Sequence, residues 1–271
     1  PYAHGQTADF TLYAQWTANT LTVTYNSQSG SSITAGSTST GASMSLPGTP
    51  TRTGYTFAGW FVATSGGSAI TFPYAHGQTA DFTLYAQWTA AATCATGGAC
   101  IVGNTGPGGG IVFYVHASGT FACGATLAST CKYLEAAPTT GTNNWFDRGY
   151  PWSGNTQDAI GANARGTLIG TGYKNTEAMV TQSSTAGRAG TITRAYRGPN
   201  NLSDWYLPSK DELEKLYAQR NIIGGLNGSS YFSSSEYNEF YAWYQNFLTG
   251  YQGQSGGKSA SVHVRPVRAF G

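Results

Sequence analysis

An 18-residue segment occurs twice in the sequence, and its two copies are identical at every position. The segment PYAHGQTADFTLYAQWTA occupies residues 1–18 and returns at residues 73–90. Internal repeats of this kind indicate an array of stacked copies of one structural unit. We therefore expect residues 1–18 to be the tail of a preceding repeat and residues 19–90 to be one complete repeat.

The complete repeat has the pattern of a small β module. The stretches LTVTY at 21–25 and TLYAQW at 83–88 alternate with a period of two, as half-buried strands do. The aromatic residues form either a ligand patch or the core of a small sheet, and we favour the core. These residues are Tyr55, Phe57, Trp60 and Trp88. His4 and His76 lie at equivalent loop positions, where we expect solvated side chains.

The segments LTVTYNS, RTGYTFAGW and LYAQW resemble the Listeria–Bacteroides repeat, the B-type repeat of internalin-like surface proteins. The resemblance covers nearly all of residues 19–90. It implies a β-grasp-like, mainly β module that serves in tandem as a stalk on bacterial surface proteins. The Ser/Thr/Gly-rich stretch 27–45 departs from the family's pattern, and we expect it to be a mobile loop.

Charge and composition restrict the class of protein. Only 10% of the 271 residues are charged, the net charge is +2, and Lys and Arg form no cluster, so a nucleic-acid partner has little electrostatic support. No apolar run approaches the roughly 20 residues of a membrane helix. We expect membrane attachment only through segments outside residues 1–271.

The cysteines lie within one short window, at Cys94, Cys100, Cys123 and Cys131. Their even number and close spacing suggest two disulfides, most simply Cys94–Cys100 and Cys123–Cys131 among three connectivities. A zinc site is less favoured because there is no CxxC motif and no adjacent His. Disulfides indicate an extracellular, cell-surface location.

After a linker at residues 91–99, residues 100–271 are predicted to form an α+β domain. The Gly-rich segment 106–110 runs into a strand and lacks the Lys-Ser/Thr ending of a phosphate loop. Residues 132–137 predict a second strand. Residues 175–182 predict a short helix capped by Asn175, and residues 207–217 predict a helix with a Ser209–Glu212 capping box.

Seven motifs of this region occur in order and resemble the DUF1566 family, which is related to the Fibrobacter major-domain group and to a Legionella collagen-like adhesin. The motifs are GPGGGIVFYV, YLEAAP, GTGYKNTEA, SDWYLPSKDELEKLY, SSSEY, AWYQNF and VRPVRAF. The resemblance implies a C-type-lectin-like fold of the formylglycine-generating-enzyme-like variety. Ligand binding on irregular loops is the characteristic function of that fold.

The C-terminal segment 237–263 interleaves two kinds of position. A frame of core and anchor residues includes Glu236, Gln245 and Lys258, with Trp243 and Phe247 as core candidates. The other positions mix aromatic and small polar residues, as binding surfaces do. These candidate ligand-binding residues are Asn238, Phe240, Tyr241, Tyr244, Leu248, Thr249, Tyr251, Gly253, Ser255, Ser259, Ala260, Ser261 and His263. We call them the interleaved positions.

This segment is similar to the variable proteins of diversity-generating retroelements, in which template adenines are randomised. An Asn codon altered at its two adenines reaches every residue type at the interleaved positions, but it cannot reach Trp, Gln, Glu, Lys or Met. Frame residues Trp243, Gln245 and Lys258 are among the unreachable types. Glu239 and Gln254 are also unreachable, so these two positions are fixed or differently encoded.

These patterns predict a surface-displayed ligand-binding protein without catalytic residues. The partner is expected to be a protein or glycan on another cell or virus surface. Catalysis of the formylglycine-generating type has little support because no cysteine follows Cys131. A fixed adhesin for host glycan or matrix protein is the alternative. No cofactor is predicted; structural calcium stays open, with Glu236, Asn238 and Glu239 as the one clustered ligand set. Arg265 and Arg268 are expected to pair with buried acids such as Glu236 or Asp211.

Overall fold

The computed structural model describes residues 3 and 5–271, and for Ser255 it describes only the backbone. The chain divides into two compact units, Pro1–Ala91 and Ala92–Gly271. His4 lies outside the described residues. The fold is mainly β.

The first unit contains a four-stranded sheet in the order β2-β1-β6-β4 and a small sheet of β3 and β5. Its strands are β1 (Thr20–Asn26), β2 (Gly36–Ser39), β3 (Ser43–Met44), β4 (Tyr55–Phe61), β5 (Tyr74–Ala75) and β6 (Phe82–Ala90). β6 runs parallel to β1 and antiparallel to β4. The stretch 27–45, predicted to be a mobile loop, contains β2 and β3, because both strands find antiparallel partners.

The core of this unit is built from one face of the sheet. Val23, Trp60 and Leu84 are buried, and Trp60 anchors its indole by donating to the Gly48 carbonyl at 3.0 Å. The prediction of an aromatic core is therefore right for Trp60, whereas Tyr55 is 41% exposed. The solvated state predicted for His76 is wrong, because its ring is buried against Phe82 and lies 3.1 Å from the Thr38 hydroxyl.

The two identical segments differ in structure. The copy at 73–90 supplies β5 and β6, whereas the described residues of the first copy form no strand. Tyr13 and Trp16 are 84% and 92% exposed. Strand formation here depends on the partners β1 and β4, which satisfy the backbone of β6 on both sides. Because the two sequences are identical, the difference in structure comes from the neighbouring strands and not from the segment itself.

The second unit has a three-stranded sheet (β16-β10-β7), a five-stranded sheet (β11-β15-β12-β13-β14) and a β8–β9 hairpin. Its strands are β7 (Ile111–Val115), β8 (Phe121–Cys123), β9 (Ser129–Cys131), β10 (Tyr133–Ala136), β11 (Gly149–Tyr150), β12 (Ser230–Glu236), β13 (Tyr241–Asn246), β14 (Gln252–Gly257), β15 (Val262–His263) and β16 (Val267–Phe270). Its helices are α1 (Gly172–Gln182), α2 (Ala189–Ala195), α3 (Lys210–Ala218) and α4 (Arg220–Ile223).

The two disulfides form as the spacing predicted. Cys94 pairs with Cys100, and Cys123 pairs with Cys131 across the β8–β9 hairpin. All four cysteines are buried. The sulfur atoms thereby add covalent links to the start of the unit and to a short hairpin that has little core of its own.

Helix α3 begins as the capping box predicted, because Ser209 Oγ accepts from the Glu212 amide and Glu212 accepts from the Ser209 amide. The cap predicted for the other helix is wrong. Helix α1 begins at Gly172, so Asn175 lies inside it. Asn175 is fully buried, and its amide donates to the Gly166 carbonyl at 2.6 Å.

The glycine-rich segment 106–110 encloses a carboxylate. Glu135 on β10 is fully buried and accepts from the amides of Gly108 (2.9 Å) and Gly110 (3.0 Å). A Cβ atom at Gly108 would lie 2.8 Å from the Glu135 carboxylate, so the close approach requires glycine. Arg268 completes the site by donating to Glu135 at 2.8 Å.

Glu212 is a buried acid with a strongly raised pKa. Its carboxylate is fully buried and accepts from Gly170 N (2.8 Å), Ser209 N (2.7 Å) and Tyr206 OH (3.1 Å). Burial outweighs these hydrogen bonds and raises the pKa of the Glu212 carboxyl from 4.5 to about 7.

We predict that Glu212 makes folding stability depend on pH. Between pH 4.5 and about 7 the folded chain holds a proton that the unfolded chain has lost, so the free energy of unfolding falls as the pH rises and levels off above this window. The fall is about 3 kcal/mol. Denaturant titrations from pH 4.5 to 8 should show it in the wild type and in Glu239→Gln, an exposed control, whereas Glu212→Gln should keep only a smaller fall from Glu135, whose pKa is also raised by burial. The same slope in Glu212→Gln would contradict the assignment.

Candidate functional site

The interleaved positions lie at one side of the five-stranded sheet, where β13 and the edge strand β14 form a hairpin. They occupy three turns and the strands between them. The turns connect β12 with β13, β13 with β14, and β14 with β15. The segment therefore folds as two consecutive antiparallel hairpins, in which each turn presents side chains to solvent.

A buried ion pair holds both ends of these hairpins. Glu236, at the end of β12, and Lys258, just after β14, are fully buried and lie 2.7 Å apart (Oε1 to Nζ). Glu236 also accepts from the amides of Ile160 and Gly161, each at 2.7 Å. The Lys258 ammonium lies 4.9 Å from the centre of the Trp152 ring. These contacts satisfy the two charges within the protein.

The predicted partners of the terminal arginines are therefore wrong. Lys258 occupies the position at Glu236 that was assigned to an arginine. Arg268 pairs with Glu135 and with Asp204, at 2.8 and 2.6 Å. Arg265 is fully buried and donates to the carbonyls of residues 137, 224 and 225. The prediction that Arg268 pairs with a buried acid is confirmed, but that acid is Glu135 on β10.

Two asparagines shape the turns in the same way. Asn238 Oδ1 accepts from the amides of Phe240 (3.0 Å) and Tyr241 (2.9 Å). Asn246 Oδ1 accepts from the amides of Leu248 and Thr249, both at 2.9 Å. Such contacts stabilise tight turns by replacing backbone hydrogen bonds. Asn238, an interleaved position, thus has its side-chain oxygen engaged within the protein.

The interleaved positions differ in exposure. The exposed ones are Phe240, Tyr241, Leu248, Thr249, Tyr251, Ser259, Ala260 and Ser261. Asn238, Tyr244 and His263 are half-buried, Gly253 is buried, and the side chain at Ser255 is outside the described part of the chain. In contrast, frame residues Gln245, Phe247 and Lys258 are buried. Along this segment, exposed interleaved positions therefore lie next to buried frame residues.

The exposed residues form two groups at opposite ends of β13. In the first, the Lys258 amide donates to the Phe240 carbonyl at 2.9 Å, which brings the β14–β15 turn beside Phe240 and Tyr241. The second contains Leu248, Thr249 and Tyr251, and the Tyr251 ring lies 6.4 Å from that of Tyr244. At about 3.3 Å per residue, the groups are about 16 Å apart along the strand. One extended ligand that spans this distance can contact both groups.

Trp243, predicted to be core, is half-buried. Its ring lies 5.9 Å from the Tyr237 ring and 5.2 Å from the Lys210 ammonium. The pairing of β12 with β13 shifts register here, so residues 233–235 stand opposite Trp243 alone. These serines are small and buried, and the indole, which packs against Tyr237 and Lys210, stays half-buried. Tyr237 is 41% exposed, so Tyr237 and Trp243 add to the aromatic surface. In the sequence, the run of three serines before Glu236 was the signal from which the partial exposure of Trp243 could have been predicted.

His263 faces an acid. Its Nδ1 lies 3.3 Å from Asp147 Oδ1, and Tyr231 donates a short hydrogen bond to the other Asp147 oxygen. Burial, with this hydrogen bond, raises the pKa of the Tyr231 hydroxyl. The cluster joins β15 and β12 to the segment before β11. Its three polar groups bind one another, so His263 is held as an internal anchor.

No group of three or more His, Cys, Asp or Glu side chains is placed to hold a metal ion within the described residues. The three residues considered for calcium do not converge, since Glu236 binds Lys258 while Asn238 accepts from turn amides. Across the same described residues, no helix has both the length and the apolar character to cross a membrane.

Phe247 and Leu248 test the division between frame and surface, because they are adjacent in sequence. Phe247 is 4% exposed and packs against Tyr217 and Tyr231, whereas Leu248 is 75% exposed. We expect Phe247→Ala to lower the free energy of unfolding by about 3–5 kcal/mol and Leu248→Ala to change it by about 0.5 kcal/mol or less. Denaturant titration measures both. Equal losses in the two variants would show that the hairpin does not separate core from surface in this way.

Comparison with known proteins gives a family match within the first unit and two similar proteins. Internalin H of Listeria monocytogenes serovar 1/2a is 37% identical over 81 residues, which cover 30% of this chain and 14% of that protein. A fimbrial protein from Bacteroides ovatus, solved at 1.85 Å, has a TM-score of 0.43 and 16% identity, covering 59% of this chain and 44% of its own. The chain thus spans a small part of the internalin. Residues 22–87 match the family described as the Listeria-Bacteroides repeat domain, which confirms the resemblance carried by the three repeat motifs.

Proposed function

We propose that this chain belongs to a bacterial surface protein in which the repeat is a stalk and the second unit binds ligands through the interleaved positions. The repeat match and the internalin relative support an extracellular, surface-displayed setting, as do the disulfides. The observation that carries the proposal is the alternation along residues 237–263, where buried frame residues separate exposed Tyr, Phe, Leu, Ser and Thr side chains. Exposed aromatic groups of this density are typical of recognition surfaces.

The second unit is further proposed to be a C-type-lectin-like domain whose face is diversified by a retroelement. At two frame positions, full burial coincides with a residue type that an altered Asn codon cannot produce. Gln245 and Lys258, which an altered Asn codon cannot produce, are fully buried. The exposed interleaved positions hold residue types that such a codon can produce, whereas Glu239 and Gln254, which are also exposed, do not and are proposed to be fixed. Apart from Asn238 and His263, whose side chains make structural hydrogen bonds, the positions of such a face can change without disturbing the hydrogen bonds of the frame.

One contact predicts that two positions vary together. A Cβ atom at Gly253 would lie 2.6 Å from the Tyr244 ring, closer than real Cβ contacts. The contact atoms are at the far end of a flexible side chain, so a larger residue at 253 requires Tyr244 to move or to be replaced by a small residue. Diversification at these two paired positions of β13 and β14 is therefore expected to be coupled.

Binding without catalysis is the activity we propose for this unit. The face offers Tyr hydroxyls, ring surfaces and small hydroxyl groups, which recognise protein or glycan surfaces of another cell or a virus. His263 is committed to Asp147, so the face has no histidine directed at a ligand. The net charge of +2 gives no basis for nucleic-acid binding.

Deep sequencing of the 3′ end of the gene in a growing natural population tests diversification. We expect substitutions to concentrate at the interleaved codons, with Gln245, Phe247 and Lys258 unchanged. Residues larger than glycine at position 253 should be enriched in sequences in which residue 244 is small. The 5′ repeat codons, sequenced from the same molecules, are the control for error and background mutation. An invariant 3′ end would contradict the diversified face.

A fixed-specificity adhesin for host glycan or matrix protein is the second candidate. It is favoured by Trp243, which is half exposed although an altered Asn codon cannot encode it. With Tyr237 and Lys210 it forms an aromatic and cationic cluster that would be constant in all variants. An invariant 3′ end would make this cluster the first region to test on glycan and matrix-protein arrays.

A further inference from the structure

The repeat module has an open hollow of about 580 Å³ beside the turn that precedes β4. Its wall contains the rings of Tyr55, Phe57 and Trp88 together with the guanidinium of Arg52. Phe57 and Trp88 pack edge to face with ring centres 5.5 Å apart, and Tyr55 is 41% exposed. Phe57 and Trp88 also pack against the core around Trp60, so they form the inner wall of the hollow, and Tyr55 forms its exposed aromatic side.

Arg52 is the cation of this wall. Its Cζ lies 3.8 Å from the centre of the Tyr55 ring and 6.0 Å from that of Trp88, and Nη1 donates to the Gln28 carbonyl at 3.4 Å. Stacking orients the planar guanidinium, which carries five N–H donors. The orientation is set before any ligand arrives, which lowers the entropy cost of binding.

The described residues provide no carboxylate partner for Arg52. Every ion pair in the described part of the chain involves other residues. Asp81 is the only acidic residue within 19–90, and its carboxylate accepts from the Thr22 amide at 2.6 Å. The residues that line the hollow include no Asp or Glu. The charge of Arg52 therefore suits an external anion.

The rest of the wall indicates what carries that anion. Thr49, Thr51, Thr53 and Thr56 line the hollow and are exposed, so hydroxyl groups stand beside the aromatic faces. A pyranose ring has an apolar C–H face for the rings and hydroxyls for the threonines, and a uronic acid adds a carboxylate for Arg52. An acidic side chain of a protein offers the carboxylate but has no ring face to cover Tyr55 and Phe57.

We propose that this hollow binds a uronic-acid unit of an acidic polysaccharide. The site lies wholly within the first unit, so it is independent of the ligand-binding face of the second. The repeat then acts as a low-affinity polysaccharide contact in addition to its role as a stalk. Tandem copies of such a site would strengthen attachment by multivalency.

Calorimetry and NMR on the full chain test the proposal, with sodium polygalacturonate as the probe. Neutral dextran controls for sugar without charge, and poly-L-glutamate controls for an acidic peptide. Arg52→Gln removes the cation, and Arg52→Lys keeps the charge without the planar stack. Arg220→Gln is the matched control, because Arg220 stacks on Tyr217 at 4.1 Å in the other unit. Thermal unfolding confirms that each variant is folded.

We expect polygalacturonate to bind, dextran not to bind, and the indole N–H signal of Trp88, which donates to the Ser27 carbonyl, to shift on titration. Arg52→Gln should weaken binding by about tenfold or more, with a smaller loss for Arg52→Lys and none for Arg220→Gln. Absence of polygalacturonate binding, or equal binding by folded Arg52→Gln, would overturn the proposal. Stronger binding of poly-L-glutamate through Arg52 would also overturn it, because the ligand would then be an acidic protein.

Discussion

The C-terminal hairpins depend on the buried ion pair between Glu236 and Lys258. The two residues bracket the segment 237–257, so their contact closes the segment at its base. Burying two charges costs solvation free energy, and this structure offsets that cost with the amides of Ile160 and Gly161 and with the Trp152 ring. Removing Lys258 would leave Glu236 with the two amides and with Arg165 Nε at 3.5 Å. Removing Glu236 would leave the buried Lys258 ammonium with the Trp152 ring and the Asp158 carbonyl. The pair therefore fixes where the segment starts and ends, whatever the turns contain.

Between these ends, frame side chains hold the hairpins onto helix α3. Gln252 donates to the Lys210 carbonyl at 2.9 Å and to Gln245 Oε1 at 3.2 Å, and Gln245 donates to Glu214 on α3. Phe247 fills the core between Tyr217 and Tyr231. None of these contacts uses a side chain of the interleaved positions. Elsewhere in the segment, the side chains of Asn238 and His263 make stabilising hydrogen bonds. The stabilising contacts thus come mainly from the frame, and the surface proposed for recognition comes mainly from the exposed interleaved positions.

Local signals in the sequence predicted local structure. The Ser209–Glu212 spacing located the start of α3, the cysteine spacing gave the two disulfides, and the three repeat motifs identified residues 22–87. These features depend on residues close together in the chain or on a family pattern.

Features set by distant residues could not be predicted from the sequence. Arg268 pairs with Glu135, 133 residues away, and the buried His76 ring lies 3.1 Å from the hydroxyl of Thr38, 38 residues away on β2. Trp243 is half exposed because three serines of β12 shift the register, although large aromatic residues usually signal core. The first copy of the repeated segment forms no strand in its described residues, since strand formation depends on partners and not on the segment alone.

The central claim is that the frame folds independently of the face, and a pair of libraries tests it most directly. One library randomises the interleaved codons, and the other randomises the same number of frame codons, including those of Glu236, Gln245, Phe247 and Lys258. Resistance of displayed chains to protease measures folding in both. We predict that most members of the first library stay folded, with losses concentrated at Asn238 and His263, whereas most members of the second unfold. Equal losses in the two libraries would contradict the account.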